Sequence, residues 1–247
     1  MLDALFFGAH PDDVELSCGG LAALLASHGH AVGIADLTRG EMGTRGSPEE
    51  RAAEAAAAAR ELGAAWRESL ALPDLGLDRG DRAQQAAVVA CLRRHRPRLV
   101  VAPDPDDAHP DHVEASHLVR RACYLAGLAR FAAEPAAGDG APMRHRPERL
   151  LFALYRSGER PHLVVDVSVV WERRMRAVRA HASQFEAGRG PDTYLTAPGF
   201  LDEVEARARS LGALIGARHG EGYRLRGPVP IADARALLPG AVVGGAP

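Results

Sequence analysis

Short apolar runs alternate with helix-length stretches along most of this chain, and that alternation constrains the fold more than any other feature. Residues 2–8 (Leu-Asp-Ala-Leu-Phe-Phe-Gly) read as a buried strand, followed by a helix over about 20–27 and a second strand over 31–37. Ser47-Pro48-Glu49-Glu50 supplies an N-cap, a proline at the first helical position and a capping-box glutamate. An alanine-rich helix then runs to Leu62 and stops at Gly63. A short strand near 69–72, a helix over 82–95, a strand over 98–102 and a helix from near Val113 continue the pattern. Beyond an Ala/Gly/Pro-rich loop at 132–147 come strands near 149–155 and 162–167, helices near 169–186 and 199–214, and a last strand at 222–226. Strands alternating with helices imply βαβ units, hence an α/β fold with a mostly parallel sheet flanked by helices on both faces. No repeat or linker interrupts the pattern, so residues 1–237 are expected to form one domain, with 238–247 a small, glycine-rich tail.

Composition excludes several chemistries. A formal charge of −2 gives no net basic field, so no nucleic acid and no anionic membrane is expected as a partner. No apolar run approaches a bilayer span, and the N-terminus lacks the pattern of a signal peptide, so a soluble, cytoplasmic protein is expected. Cys18, Cys91 and Cys123 are far apart and odd in number, which argues against a disulfide framework. There is no lysine, so Schiff-base catalysis and the P-loop are excluded. There is no asparagine for a Cys-His-Asn arrangement, and no G-x-S-x-G elbow.

Two clusters carry chemistry. Ala9-His10-Pro11-Asp12-Asp13-Val14-Glu15 follows the first strand, and Asp106-Asp107-Ala108-His109-Pro110-Asp111-His112 follows the strand at 98–102. A parallel sheet binds its ligands outside the carboxyl ends of its strands, where both clusters fall. Alone, a His-Pro-Asp-Asp turn is an ordinary helix start with a capping aspartate. Two such clusters, each just past a buried strand, point to a metal. Catalytic zinc takes three protein ligands from imidazole and carboxylate. His10 and Asp13, three apart on one turn, face a common point, and His112 completes the set. Asp12 remains free to take a proton from water, and His109 with Asp111 forms a second His-Asp pair that suits an oxyanion. Two histidines and one carboxylate also suit iron(II).

These runs resemble the LmbE-like, or PIG-L, deacetylases, which act on N-acetylglucosamine units. The likeness extends over residues 2–226 through Asp36-Leu37-Thr38-Arg39-Gly40-Glu41, Arg51-Ala52-Ala53-Glu54-Ala55 and Leu72-Pro73-Asp74. Arg179-Ala180-His181-Ala182-Ser183-Gln184 fits the bacillithiol-pathway branch, which hydrolyses N-acetylglucosaminyl malate. The resemblance implies a Rossmann-like three-layer sandwich and a Zn2+ cofactor. It also implies a small-molecule substrate and a homo-oligomer, trimer or hexamer. It matches His10, Asp13 and His112 to metal ligands and Asp12 to the general base. His109 matches the group that stabilises the tetrahedral intermediate, with Asp111 as its partner. Arg51, Asp74, Glu41 and Tyr194 match substrate-contacting positions. One departure is His219, where relatives carry a tyrosine before the late Gly-Glu-Gly; it is expected at the rim of the pocket or at an interface. His28, His30 and His95 are expected on the surface, His181 as a structural residue on a helix face, and Cys18 as buried. The competing class, a nucleotide-binding module, requires a Gly-x-Gly-x-x-Gly turn where this chain places two aspartates that would repel a pyrophosphate.

Overall fold

The computed structural model describes residues 1–131, 143–155 and 160–229. In chain order the first elements are β1 (Ala4–Gly8), α1 (Asp13–Ser17), α2 (Gly19–Ser27), β2 (Val32–Thr38), α3 (Pro48–Leu62), β3 (Trp66–Leu72), α4 (Arg82–His95) and β4 (Leu99–Pro103). They are followed by α5 (Pro110–Leu125), β5 (Arg149–Ala153), β6 (Leu163–Asp166), α6 (Trp171–Ala180), α7 (Ala182–Phe185), α8 (Phe200–Ala213) and β7 (Gly220–Leu225). The strands form one sheet in the order β3-β2-β1-β4-β5-β7-β6. All pairs from β3 to β5 are parallel, and β7 runs antiparallel to both β5 and β6.

β1 is buried along its whole length, as a central parallel strand covered on both faces must be. Its side chains alternate between two cores. Leu5 and Phe7 pack with Val88 and Leu92 of α4 and Leu118 and Val119 of α5. Ala4 and Phe6 pack with Leu21 of α2, Ala58 and Leu62 of α3 and Ala177 of α6. Each such phenylalanine contributes about 2–3 kcal/mol by burial. A third cluster joins Trp171 and Met175 of α6 to Phe200 and Val204 of α8. The result is the expected three-layer α/β sandwich. The strand order reverses between β1 and β4, so the crevice at their carboxyl ends is a topological switch point.

Local chemistry sets the helix ends. Ser47 accepts the Glu50 amide at 3.1 Å, Pro48 opens α3, and Gly63 closes it at φ +73°. Asp81 accepts from Ala83 and Gln84 at the start of α4. β3 begins three residues earlier than the sequence suggests, because its polar half, Arg67–Glu68, is held by ion pairs rather than by apolar packing. The stretch 169–186 is not one helix: it breaks at His181, at φ −83° and ψ 57°, between α6 and α7. Tertiary bonds explain the break, since Glu54 takes both the amide and the hydroxyl of Ser183 at the start of α7. Residues 132–142 of the expected loop and the tail at 238–247 lie outside the described residues. Among the described residues no helix is long and apolar enough to cross a membrane.

Candidate active site

A cleft of about 420 Å³ opens at the carboxyl ends of β1 and β4, lined on its floor by His10, Asp12, Asp13, His109 and His112. The chain leaves β1 at Gly8, where a Cβ would stand 2.9 Å from the His10 carbonyl oxygen and 3.2 Å from Asp13 Cβ; only glycine permits so tight a turn. The turn passes through Asp12 at φ +123°, a backbone conformation that costs an ordinary residue about 1–3 kcal/mol. The strain keeps Asp12 and Asp13 in the same turn, both against the cleft.

The two motifs meet here. Asp13 lies between the histidines, with Oδ2 3.4 Å from His10 Nδ1 and Oδ1 3.2 Å from His112 Nε2. His10, His109 and His112 each bring a ring nitrogen within 4.8 Å of the others. His10 Nε2 also lies 3.1 Å from Asp74 and 3.3 Å from Asp111. Asp107 Oδ1 sits 3.0 Å from His112 Nδ1, so that ring edge is occupied and Nε2 faces the cleft. The protonation of the two histidines reflects this crowd of carboxylates. Burial lowers the His10 pKa, but Asp111, Asp13 and Asp74 outweigh it and push the group up to about 12. His112 is likewise lowered by burial yet raised to about 10 by Asp13 and Asp107. Two imidazolium charges therefore offset part of the carboxylate charge when no cation is present. A divalent cation would displace those protons and supply the same charge, so the donor set fits a metal of the zinc or iron(II) kind.

Asp12 behaves differently from Asp13. Burial pushes its carboxyl up to about 6, against the pull of Arg51, His181 and His10, and Asp13 beside it adds to the rise. Asp13 is held well below the usual carboxylate range, because the attraction of His112 and His10 exceeds its own burial penalty. Adjacent aspartates thus take opposite characters, one a base near neutrality and the other a permanent anion. His109 is lowered, first by burial and then by the charges of His112 and His10, so its ring is neutral. Its Nδ1 accepts the Asp111 amide at 3.2 Å, which places the single ring proton on Nε2.

The other sequence-selected residues divide. Arg51 is buried; it donates to the Gly40 and Pro11 carbonyls at 3.0 and 2.8 Å and lies 3.5 Å from Asp12. Gly40, at φ +67°, leaves room for that guanidinium, which a Cβ would overlap. Asp74 lines the cleft and is drawn down to about 2 by its bonds to His10 and the Met42 amide, against a burial penalty. Tyr194 also lines the cleft, with its hydroxyl bonded to Glu203. Glu41 departs from expectation: its carboxylate accepts the Asp74 and Arg39 amides, so it props the loop that carries Asp74 and does not line the cleft. The expected carboxylate–imidazole pair of Asp111 with His109 is also corrected. Asp111 Oδ2 accepts the Leu75 amide at 2.8 Å and faces His10. The reason is that α5 starts at Pro110, not Val113, and residues two apart on a helix do not face each other.

His219 is not at the rim. It is buried, stacked on Trp171 at 4.2 Å, beside the strand whose Glu221 caps α2 by accepting the Gly20 and Leu21 amides. His95 is half-buried against Trp66, whereas His28 and His30 are exposed. Cys18 is buried, with its thiol pKa pushed up by burial, and His181 is buried 3.4 Å from Glu15. Sequence reasoning missed Tyr155, Gln184 and the segment Met42–Thr44 as cleft walls. Only the glycine-rich character of the 39–47 loop offered a signal.

The sequence model of the PIG-L family, GlcNAc-PI de-N-acetylase, matches residues 5–123, a span that holds both motifs. The chain is 31% identical over 226 residues to diacetylchitobiose deacetylase of Thermococcus kodakarensis, covering 87% of this chain and 79% of that one. It is 28% identical to 1D-myo-inositol 2-acetamido-2-deoxy-alpha-D-glucopyranoside deacetylase of Rhodococcus opacus, covering 73% and 80%. The crystal structure of the conserved protein TT1542 from Thermus thermophilus superposes with a TM-score of 0.82 at 39% identity, over 94% of this chain and 97% of that one. The chain belongs to the PIG-L family, the LmbE-like metal-dependent N-deacetylases.

Proposed function

We propose that the cleft removes the acetyl group from an N-acetylglucosaminyl small molecule, with N-acetylglucosaminyl malate as the substrate. One observation carries the proposal: Asp12, a strained and buried base, stands directly beside a convergent His10–Asp13–His112 set. Those three residues would hold Zn2+, or Fe2+ in its place. When bound, such an ion supplies Lewis acidity for the acetamide carbonyl and for the attacking water. His10 is shared between the histidine cluster with His109 and His112 and the neighbouring Asp74–Asp111 group, so the donors support one ion rather than two.

The chain's own groups do the rest. Asp12 accepts a proton from the attacking water, and a pKa near 6 suits that task at neutral pH. Arg51 holds the Asp12 turn through the Pro11 carbonyl. His109, neutral with its proton on Nε2, donates a hydrogen bond to the oxyanion that forms on the acetamide oxygen. When the C–N bond breaks, the proton held by Asp12 passes to the departing nitrogen, leaving acetate and a free amine. Asp74 stands at the cleft wall as an acceptor for sugar hydroxyls. Malate would bring carboxylates to the cleft, where Arg51 is the cation within reach.

The test is acetate release measured in parallel from N-acetylglucosaminyl malate, diacetylchitobiose, N-acetylglucosaminyl inositol and simple N-acetylglucosamine, each with zinc and with iron. The highest kcat/KM is expected on the malate conjugate with one equivalent of metal. A higher value on the chitobiose or inositol compound removes the malate assignment. Two equivalents of metal together with phosphate-ester cleavage would replace the reaction itself.

A further inference from the structure

α7 contributes one residue to the cleft lining, Gln184, which is buried at 6% exposure. Its carboxamide cannot turn freely. Nε2 donates to the Arg45 carbonyl at 2.8 Å and to the Ser183 hydroxyl at 2.9 Å, which uses both amide protons. The Ser183 hydroxyl in turn donates to Glu54 at 2.7 Å, so it accepts from Gln184 rather than the reverse. Flipping the amide would set Oε1 against the Arg45 carbonyl oxygen, acceptor against acceptor. The orientation is therefore fixed by chemistry. Oε1 takes no hydrogen bond from any described residue and is not sealed from solvent.

The mounting is rigid. Arg45 is buried and its guanidinium donates to three carbonyls of the α7 region, Ser183 at 2.7 Å, Pro191 at 2.7 Å and Glu186 at 2.5 Å. Gly46 lets the two segments touch, since a Cβ there would stand 2.6 Å from the Ser183 hydroxyl. The 39–47 loop, which supplies Met42, Gly43 and Thr44 to the cleft, is thereby clamped to the helix that carries Gln184. A lone acceptor held this firmly at the wall of a cleft is a preorganised recognition group.

We propose that Gln184 is a specificity-determining residue whose Oε1 accepts a hydrogen bond from one hydroxyl of the bound glucosamine ring. This rests on the N-acetylglucosaminyl substrate class proposed above. The geometry makes a donor on the ligand the only productive partner, so a carboxylate or phosphate at this wall is disfavoured.

The experiment is a two-way cycle on the metal-loaded enzyme. Wild type, Gln184→Met and Gln184→Ala are each measured with methyl N-acetylglucosaminide and its 3-, 4- and 6-deoxy analogues for kcat/KM. The corresponding deacetylated amines are titrated for Kd, a readout that needs no turnover. Both variants are expected to lose about 3- to 10-fold on the parent sugar, the loss of one hydrogen bond. One deoxy analogue should already carry that deficit with wild type and lose nothing further in either variant. An equal loss on every sugar, or no loss, overturns the proposal, because a merely structural residue affects all sugars alike. If wild type binds the amines but releases no acetate, the deacetylase reading falls while the Kd cycle still decides Gln184. If wild type binds none of the sugars, both fall.

Discussion

Two clusters of buried charge lie on either side of the turn after β1, and they are built on opposite principles. The inner one is closed. Arg67 meets Asp36 with two nitrogens at 2.8 and 2.9 Å and Glu15 with a third at 2.5 Å, and His181 stands 3.4 Å from Glu15. Cations and anions match there, and Glu15 and His181 are wholly buried. The outer one is open to the cleft and rich in carboxylate: Asp13, Asp74, Asp107 and Asp111 crowd His10 and His112. Its charge is offset only in part, by imidazolium protons, which can leave. A closed, balanced cluster holds structure; an open one with surplus carboxylate is built to receive a cation. This contrast separates scaffold from site more clearly than burial, which both clusters share.

The largest effect should fall on the open side. Asp12→Ala should lower kcat by roughly 100- to 10,000-fold, the usual share of a general base, while bound metal stays near one equivalent. His10→Ala and His112→Ala should instead lose the metal, read by elemental analysis after dialysis. If the Asp12 variant keeps full turnover, or the histidine variants keep their metal, the open cluster is not the centre argued here. Metal uptake should also release protons and weaken as pH falls, because His10 and His112 hold protons in its absence.

The next effect belongs to the closed side and should appear in stability. Glu15→Gln removes one partner of a buried pair and leaves Arg67 underpaid in charge, a change that costs about 3–5 kcal/mol in comparable cases. Burial raises the Glu15 pKa, but Arg67 and His181 overcome it and hold the carboxyl down to about 2, below its ordinary 4.5. A depressed carboxyl contributes stability that is full above 4.5 and is lost as pH falls towards 2. The gap in denaturation midpoint between wild type and Glu15→Gln should therefore narrow over that window and stay constant above it. A gap that is flat across pH 2–5 would mean that Glu15 acts by packing alone.

The open cluster was largely legible in the sequence, and the closed one was not. His10, Asp12 and Asp13 sit within four residues and His109 to His112 within another four, each just past an apolar strand, so short spacing and strand periodicity were enough. Arg67 hides in a strand half that looks polar, and its partners Asp36 and Glu15 lie 31 and 52 residues away. Gln184 meets Arg45 across 139 residues. The continuous helical pattern over 169–186 gave no sign of the break at His181, which comes from Glu54 capturing Ser183. Glu41 was expected to touch substrate and Asp111 to pair with His109, but each accepts a backbone amide instead, because spacing cannot say whether a carboxylate turns to the cleft or to the chain.

The smallest effect tests whether pairing alone, without burial, reproduces the closed cluster. Arg98 and Glu148 form a two-bond ion pair at 2.9 and 3.2 Å, as well made in distance as Arg67 with Asp36, but both side chains are more than half exposed. Water already solvates each charge, so the pair recovers no desolvation penalty and ordering two long side chains offsets its attraction. Arg98→Ala should leave the melting temperature near that of wild type, and raising the salt concentration should erase what difference remains. Glu15→Gln should keep its deficit in salt, since the Arg67 and Glu15 side chains are almost wholly buried. Should the exposed pair prove as costly to break as the buried one, the distinction between the two clusters would rest on geometry of contact rather than on the removal of water.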